Sequence, residues 1–315
     1  MPLDPQIMAM RDQRIRAQVA QLYTLSLDEA RAADLASIRE SAGAGEPVFE
    51  VTDTTLPGPA GDLPVRLYRP SDDRSLPVLA YFFGGGWTLG SIDTADAICR
   101  SLANMAGCLV VTVGYRLAPE HPFPAAVEDC FAAVGWIAAT AADLGADAAR
   151  IAVGGDSAGG NLAAAVTLMA RDEGTVKLVG QLLVYPNTEQ MVDDESLRDN
   201  RDPWLFNNRS VAWYRQHYLA DPQHAYEPMA SPMLAARLDG LPPALVITAE
   251  YDPLRDQGER YARRLAAEGT PTELTRYDGM VHGFFGMAGS VDGARSALKQ
   301  AAAALRGWFA QADHR

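Results

Sequence analysis

The segment between residues 149 and 170 places the strongest constraint on how this chain folds. A short apolar run at residues 149–153 is typical of a buried strand, and residues 162–170 are strong helix formers. Between them lies the pattern Gly-x-Ser-x-Gly, centred on Ser157. A serine held between strand and helix sits on a tight turn, which lifts its hydroxyl above the sheet edge at the positive end of the helix. Because glycine-rich turns of this kind also bind phosphate, the motif needs partner residues before it indicates chemistry.

Apolar runs and helix-forming segments alternate from residue 78 onward. The runs that predict buried strands are residues 78–83, 108–113, 149–153, 177–185, 244–249 and 272–277. This alternation predicts an α/β fold with a mostly parallel, doubly wound central sheet flanked by helices on both faces. Residues 48–68 alternate on either side of a Pro-Gly-Pro turn, which predicts a hairpin or a pair of edge strands.

Two segments stand outside this alternation. Residues 1–45 predict two amphipathic helices, whereas residues 187–230 are rich in polar and aromatic side chains and show no strand pattern. We interpret residues 187–230 as an insertion that lies on top of the sheet. The core then comprises residues 46–186 and 231–315, so that the chain forms one domain with a cap.

The composition excludes several classes of partner. The net charge of −13 disfavours nucleic acid and anionic membranes, and no apolar run is long enough for membrane insertion. The N-terminus lacks the basic and apolar regions of a secretory signal, which predicts a cytoplasmic protein. Cys99, Cys108 and Cys130 have no metal-ligand spacing and are expected to be buried free thiols.

A serine hydroxyl needs a base to become a nucleophile, and histidine suits this role because its pKa lies near neutral pH. The chain contains five histidines, His121, His217, His224, His282 and His314. His282 follows the last predicted strand and precedes a glycine, so it is expected at the carboxyl edge of the sheet, where functional groups gather. We therefore predict that His282 is the base.

The imidazole in turn needs a carboxylate that fixes its tautomer and stabilises its charged form. Asp252 comes shortly after the strand at residues 244–249, and the resulting order of serine, aspartate and histidine is that of the nucleophile-elbow hydrolases. Asp256 and Glu250 are the alternatives. Asp256 lies within the start of the next helix, where it has a simple structural explanation.

A tetrahedral oxyanion must also meet hydrogen-bond donors. In this architecture one donor is the backbone N–H after the nucleophile, here that of Ala158. Gly84-Gly85-Gly86 follows the strand at residues 78–83 and takes the place of the loop that supplies the others. The chain has no phosphate-loop or dinucleotide motif, so no cofactor is expected.

Five motifs together resemble the hormone-sensitive-lipase-like (family IV) esterases of the α/β-hydrolase fold. They are Gly-Gly-Gly-Trp from residue 84, Tyr-Arg-Leu-Ala-Pro-Glu-His-Pro-Phe-Pro-Ala-Ala from residue 115, Gly-Asp-Ser-Ala-Gly-Gly-Asn from residue 155, Asp-Pro-Leu-Arg-Asp from residue 252 and His-Gly-Phe from residue 282. They occur in the family's order.

The resemblance implies hydrolysis of small-molecule carboxylic esters without a cofactor. Ser157 would be the nucleophile, His282 the acid and base, and Asp252 its orienting partner. The N–H groups of Gly85, Gly86 and Ala158 would bind the oxyanion. The resemblance also implies a helical cap made of residues 1–45 and 187–230, a preference for short to medium acyl chains, and activity in solution.

One position departs from the family pattern. The residue before the three glycines is usually histidine, and here it is Phe83. A phenyl ring cannot hydrogen-bond the loop, so we expect burial of Phe82 or Phe83 to hold it. Hydrolases whose glycine loop lacks this histidine are associated with bulky alcohols, so esters of tertiary alcohols are possible substrates. Aromatic and apolar residues near the loops are expected to line the substrate pocket, namely Trp87, Leu205, Phe206, Trp213, Tyr214, Phe284 and Phe285.

Two other functions stay open from the sequence. An amide or carbamate hydrolase would use the same three side chains, because the bond cleaved depends on how the leaving group is protonated. A ligand-binding receptor on the same fold would have no use for an intact Ser157, Asp252 and His282, which argues against it. A homodimer is common among similar proteins, although no residue pattern specifies one here.

Overall fold

An eight-stranded sheet forms the centre of the protein. The computed structural model describes residues 2–312, so His314 lies outside the described residues. The strands are β1 (Glu50–Gly58), β2 (Gly61–Arg69), β3 (Leu76–Phe82), β4 (Leu109–Val113), β5 (Ala146–Asp156), β6 (Leu178–Val184), β7 (Ala244–Tyr251) and β8 (Thr272–Val281). Their spatial order is β1-β2-β4-β3-β5-β6-β7-β8.

The sheet is antiparallel at one end and parallel elsewhere. Strands β1 and β2 form a hairpin, and β2 pairs antiparallel with β4. From β4 to β8 every pairing is parallel. All residues of β3 and β4 are buried, as expected for strands covered on both faces. The predicted α/β fold with a mostly parallel sheet is confirmed, and so is the hairpin.

Nine α-helices surround or cap this sheet within residues 2–312. They are α1 (Pro5–Arg16), α2 (Leu27–Ala42), α3 (Asp96–Ala106), α4 (Ala125–Thr140), α5 (Ala158–Glu173), α6 (Glu195–Asp199), α7 (Asn208–Tyr218), α8 (Arg255–Ala267) and α9 (Asp292–Ala312). Short 3-10 helices span Leu22–Thr24, Pro222–Tyr226, Pro232–Leu234 and Phe284–Gly286.

The strand order decides which helices share a face of the sheet. The chain moves in one direction from β3 to β4 and in the other direction from β4 to β5. Because parallel crossovers are right-handed, α3 covers one face, whereas α4, α5 and α8 cover the other. Helix α9 packs against α3, and α4 packs against α5. The sheet is therefore flanked on both faces, as the alternation of elements predicts.

The two segments outside the alternation are mostly helices and loops. The first carries α1 and α2, and a capping box of Ser26 and Glu29 begins α2. The second carries α6 and α7. An ion pair between Arg11 and Asp202 links the two segments. Within residues 2–312, no helix has the length and apolarity needed to cross a membrane.

The main difference from the predicted elements concerns the last strand. Residues 278–281 were expected in a loop, but they belong to β8, which runs on to Val281. A register irregularity between β7 and β8 allows Val281 to pair with Tyr251 after the regular pairing ends at Ala249. His282 therefore follows the strand directly. The three cysteines are buried and free, as predicted.

Candidate active site

Ser157 occupies the sharp turn between β5 and α5. Its backbone has φ 57° and ψ −115°, a conformation that L-residues rarely adopt. The turn brings α5 so close to β3 that a Cβ atom at position 159 would collide with the carbonyl oxygen of Phe82. Glycine at this position therefore permits the close approach, and the turn holds the hydroxyl above the carboxyl edge of the sheet.

Three side chains from the ends of β5, β7 and β8 converge at this edge. The Nε2 atom of His282 lies 2.8 Å from Oγ of Ser157, and its Nδ1 atom lies 2.7 Å from Oδ2 of Asp252. Asp252 is fully buried, and its Oδ1 atom accepts a hydrogen bond from the backbone N–H of Leu254. A neutral imidazole that donates from Nδ1 to the carboxylate leaves Nε2 free to accept the serine proton.

The two alternative carboxylates, those of Asp256 and Glu250, bond to groups other than His282. Asp256 accepts a hydrogen bond from the backbone N–H of Ser196 and pairs with Arg255. Glu250 accepts a hydrogen bond from the backbone N–H of Gly279, at 2.7 Å. Of the three carboxylates considered from the sequence, Asp252 is the one that bonds His282.

The imidazole of His282 contacts two aromatic rings. The ring of Phe206 stacks on it, with centroids 4.1 Å apart and an interplanar angle of 22°. Tyr185, at the end of β6, approaches it at 4.6 Å and at a tilt of 53°. These contacts restrict the rotation of the ring, so the imidazole is held in line with Ser157 and Asp252 by packing as well as by hydrogen bonds.

The glycine loop is tied to the strand that carries the serine. The Oδ1 atom of Asp156 accepts hydrogen bonds from the backbone N–H of Gly84, at 3.1 Å, and from the hydroxyl of Tyr81, at 2.8 Å. Burial raises the pKa of Asp156, and these two hydrogen bonds lower it in part. A single side chain thus fixes the loop relative to the neighbouring Ser157.

The predicted oxyanion donors lie around the serine with unused hydrogen-bonding capacity. Gly85 and Gly86 adopt positive φ angles of 117° and 60°, and Ala158 is the first residue of α5. Within the described part of the chain, the backbone N–H groups of these three residues donate to no other protein group. A cluster of free N–H groups beside a hydroxyl is suited to binding a developing negative charge.

Phe83 holds its position by burial and stacking. Its ring stacks on Tyr115, with centroids 4.3 Å apart, and the Tyr115 hydroxyl donates to the Phe83 carbonyl oxygen at 2.7 Å. Phe82 and Phe83 are both almost fully buried. Both rings are therefore buried as expected, and that their burial holds the loop stays a prediction.

A cavity of about 300 Å³ opens directly onto Ser157 and His282. The segment at residues 187–230 contributes four of the predicted lining residues, Leu205, Phe206, Trp213 and Tyr214. Helices α1 and α2 also line the cavity, including with the charged residues Arg14 and Asp34, neither of which was among the predicted lining residues. The lining residues on α2, at positions 34, 37, 38 and 41, have the spacing of one face of a helix. This spacing could have indicated from the sequence that α2 lines the cavity.

Three predicted lining residues lie elsewhere. Trp87 is buried away from the cavity, where its ring stacks on Tyr218 at 4.0 Å. Phe284 and Phe285 are completely buried, and Phe284 packs against Tyr277. Proximity in sequence to the glycine loop and to His282 suggested these residues, but their side chains point into the core. The prediction is wrong for all three.

This fold and this arrangement of side chains are those of the α/β hydrolases. The family model described as alpha/beta hydrolase fold matches residues 79–286. The chain belongs to this family, in its hormone-sensitive-lipase-like branch, and it is a carboxylesterase.

Relatives and solved structures agree with this assignment. The chain is 44% identical over 263 residues to the carboxylic ester hydrolase LipN of Mycobacterium tuberculosis, with 82% of this chain and 70% of that protein covered. It is 40% identical over 287 residues to an arylesterase of Saccharolobus solfataricus, with 91% and 93% covered. The solved structure of a hyperthermophilic esterase from Pyrobaculum calidifontis superposes with a TM-score of 0.93 at 42% identity, covering 98% of this chain and 99% of that one.

Proposed function

We propose that the protein hydrolyses carboxylic esters through an acyl-enzyme formed on Ser157. The hydroxyl attacks the carbonyl carbon while His282 takes its proton, and the resulting imidazolium is stabilised by Asp252. The tetrahedral intermediate collapses as His282 returns the proton to the departing alcohol. Water, deprotonated by His282, then attacks the acyl carbon, and as this second intermediate collapses His282 returns the proton to Oγ of Ser157 and the acid leaves. The observation that carries this proposal is the unbroken line of hydrogen bonds from Ser157 through His282 to Asp252.

The oxyanion would form within reach of the N–H groups of Gly85, Gly86 and Ala158. Such preorganised donors stabilise the tetrahedral intermediate more than the planar ester, so they accelerate the reaction, by about a hundredfold to a thousandfold for a single donor. The positive φ angles of Gly85 and Gly86 and the free N–H groups of all three residues support this role.

The helical cap is proposed to consist of residues 1–45 and 187–230. Both segments contribute walls to the cavity, and its volume of about 300 Å³ suits esters of short to medium acyl chains. Because Phe83 packs on Tyr115 rather than hydrogen-bonding the loop, we also propose that esters of tertiary alcohols are accepted. The homodimer and the cytoplasmic location stay predictions, and analytical ultracentrifugation tests the first.

A pre-steady-state experiment with p-nitrophenyl butyrate tests the mechanism. A burst of p-nitrophenol equal to the enzyme concentration is expected if acylation outpaces deacylation. Ser157→Ala should lower kcat at least about a thousandfold. Ser296→Ala, at an exposed position on α9, is the matched control and should behave as the wild type.

The same experiment separates the alternatives. Hydrolysis of a p-nitroanilide at a rate comparable to the ester would favour an amide hydrolase. Binding of the ester without turnover in the wild type would favour a receptor. Full activity of Ser157→Ala would contradict the proposed nucleophile.

A further inference from the structure

The segment after the three glycines folds back onto Gly85. The backbone N–H groups of Thr88 and Leu89 donate to the carbonyl oxygen of Gly85, at 3.1 Å and 2.8 Å. This oxygen and the N–H of Gly86 belong to one planar trans peptide group, so they point in opposite directions. Fixing the carbonyl of Gly85 therefore also fixes the direction of the N–H of Gly86, which is one of the proposed oxyanion donors.

Arg31, on α2, holds the peptide group that joins Thr88 to Leu89. Its Nε atom donates to the carbonyl oxygen of Thr88 at 3.0 Å. The N–H of the same peptide group is that of Leu89, which donates to Gly85. Two peptide groups and two hydrogen bonds in series thus connect the guanidinium of Arg31 to the N–H of Gly86.

The guanidinium of Arg31 is itself held in place by Glu120. Its Nη1 and Nη2 atoms donate to the two carboxylate oxygens of Glu120, at 2.7 Å and 2.8 Å, and Nη2 also donates to the carbonyl oxygen of Ala118 at 3.3 Å. The hydrogen bonds to Glu120 raise the pKa of Arg31 and lower that of Glu120 to about 2, so both groups are charged at neutral pH. A bidentate pair of this kind fixes the plane of the guanidinium. Ala118 and Glu120 belong to the motif that begins at residue 115, to which the proposed mechanism gives no task.

A second side chain of α2 reaches the same segment. Asp34 hydrogen-bonds the backbone N–H of Gly90. Burial, with repulsion by Asp156 added, raises the pKa of Asp34 to about 7, so its charge changes near neutral pH. Of these two side chains of α2, Arg31 is therefore the one that brings a constant charge to the segment.

A cation at one end of this series strengthens the donor at the other end. Its charge polarises the peptide group between Thr88 and Leu89, and hydrogen bonds in series strengthen one another by about 10–30% per bond. The benefit is largest when negative charge develops in front of the N–H of Gly86, which happens in the transition state and not in the bound ester. An effect on kcat rather than on ester binding is the consequence.

We propose that Arg31 is a positioning residue for the oxyanion hole, which it orients and polarises through the backbone of Thr88, Leu89 and Gly85. This role rests on the proposed function, because it requires an oxyanion beside the N–H of Gly86. It also gives α2 a task beyond that of a cavity wall, since the helix supports the group that binds the developing charge.

Hydrolysis of p-nitrophenyl butyrate by Arg31→Met tests this role. Methionine keeps an apolar stem but provides no donor, so kcat should fall about tenfold, less than on removal of an oxyanion donor itself. Acylation and deacylation both form an oxyanion and should slow together, so KM should change by less than about twofold. Arg31→Lys keeps the charge without the bidentate pair and should lose about threefold in kcat. Arg39→Met is the matched control and should behave as the wild type, because Arg39 lies on the same helix and pairs with Asp93 instead.

Two matched inhibitors give a readout that a general loss of structure would not produce. Butyl trifluoromethyl ketone adds the oxygen of Ser157 at its carbonyl carbon and places an oxyanion in the hole, whereas the corresponding alcohol forms no adduct. In Arg31→Met the inhibition constant of the ketone should rise about tenfold, in step with the fall in kcat, and that of the alcohol should stay unchanged. Arg39→Met should leave both constants at their wild-type values.

The outcomes separate the role of Arg31 from the proposed function. If the wild type hydrolyses no ester, the proposed function fails. If the wild type is active but Arg31→Met keeps its kcat within about twofold, the role of Arg31 is overturned. A wild-type ratio of the two inhibition constants in Arg31→Met also overturns it, because Arg31 would then not act on the oxyanion. Should Arg31→Met not fold, Arg31→Lys decides by the same ratio.

Discussion

The ring of Phe206 lies on the imidazole of His282, with centroids 4.1 Å apart. Phe206 belongs to the segment between β6 and β7, whereas His282 follows β8. The segment between β6 and β7 therefore contacts the proposed base directly and also lines the cavity. The ring of Phe206 therefore couples the shape of the cavity to the orientation of the imidazole.

Replacing Phe206 by alanine is expected to lower kcat. The stacked contact contributes about 0.5–1.5 kcal/mol, so kcat with p-nitrophenyl butyrate should fall by a factor of about two to ten. Phe206→Tyr keeps the ring and should retain most of the activity. Phe49→Ala, at a largely exposed phenylalanine, serves as the control. An unchanged kcat in Phe206→Ala would show that the hydrogen bonds alone hold His282.

Removing the carboxyl group of Asp156 is expected to loosen the glycine loop. In Asp156→Ala the Gly84 N–H and the Tyr81 hydroxyl lose their common acceptor, so the free energy of unfolding should fall by about 1–3 kcal/mol. Asp156→Asn retains an acceptor and should lose less. Urea unfolding measures stability, and kcat for p-nitrophenyl butyrate should fall in the same order. If both variants had the same free energy of unfolding as the wild type, Asp156 would not hold the glycine loop in place.

Tolerance of tertiary alcohols is expected to depend on Phe83. The wild type should hydrolyse tert-butyl acetate at a measurable rate relative to ethyl acetate. Phe83→His introduces a ring that can hydrogen-bond the loop, and the ratio of the two rates should fall several-fold. Gas chromatography of the released alcohols measures both rates. If the wild type showed no detectable turnover of tert-butyl acetate, the predicted tolerance of tertiary alcohols would be wrong.

The raised pKa of Asp34 predicts a particular pH dependence of stability. Its pKa rises from a usual 3.8 to about 7 on folding, so between these values the folded state holds a proton that the unfolded state has lost. The contribution of Asp34 to stability is therefore favourable at low pH and is lost as pH rises towards 7. In Asp34→Asn this loss is absent, so relative to wild type the variant should gain about 2–4 kcal/mol between about pH 4 and about pH 8.

Urea unfolding across this pH range measures the difference between the two proteins. The Asp28→Asn variant carries the same change at an exposed position and should follow the wild-type profile. A difference between Asp34→Asn and wild type that stays constant with pH would mean that Asp34 titrates alike in the folded and unfolded states.

The proposed catalytic residues could largely be predicted from the order of strands and polar residues along the chain. Ser157, Asp252 and His282 each follow a predicted strand, and parallel strands bring their carboxyl ends to one edge, so their meeting could be expected before any coordinates. This rule did not by itself separate Asp252 from Glu250, which also follows that strand, and Asp256 was set aside because it lies within the start of the next helix. The glycine loop was found because it too follows a buried strand.

The pocket was less predictable, for a reason visible in particular residues. Trp87, Phe284 and Phe285 are aromatic and close to site residues in sequence, yet all three face the core. Asp34 is remote in sequence from every site motif, yet it lines the cavity because α2 packs over the glycine loop. Which way a side chain points depends on how helices dock on the sheet, and that is set by contacts between distant segments.

The sequence by itself determined the sheet, the turn that raises Ser157 and the identity of its two partners, because these follow from local periodicity and from strand order. Only the tertiary structure decided which side chains enclose the substrate space and that the carboxyl group of Asp34 is buried beside it. Packing between α1, α2 and the segment before β7 joins residues that no local pattern connects.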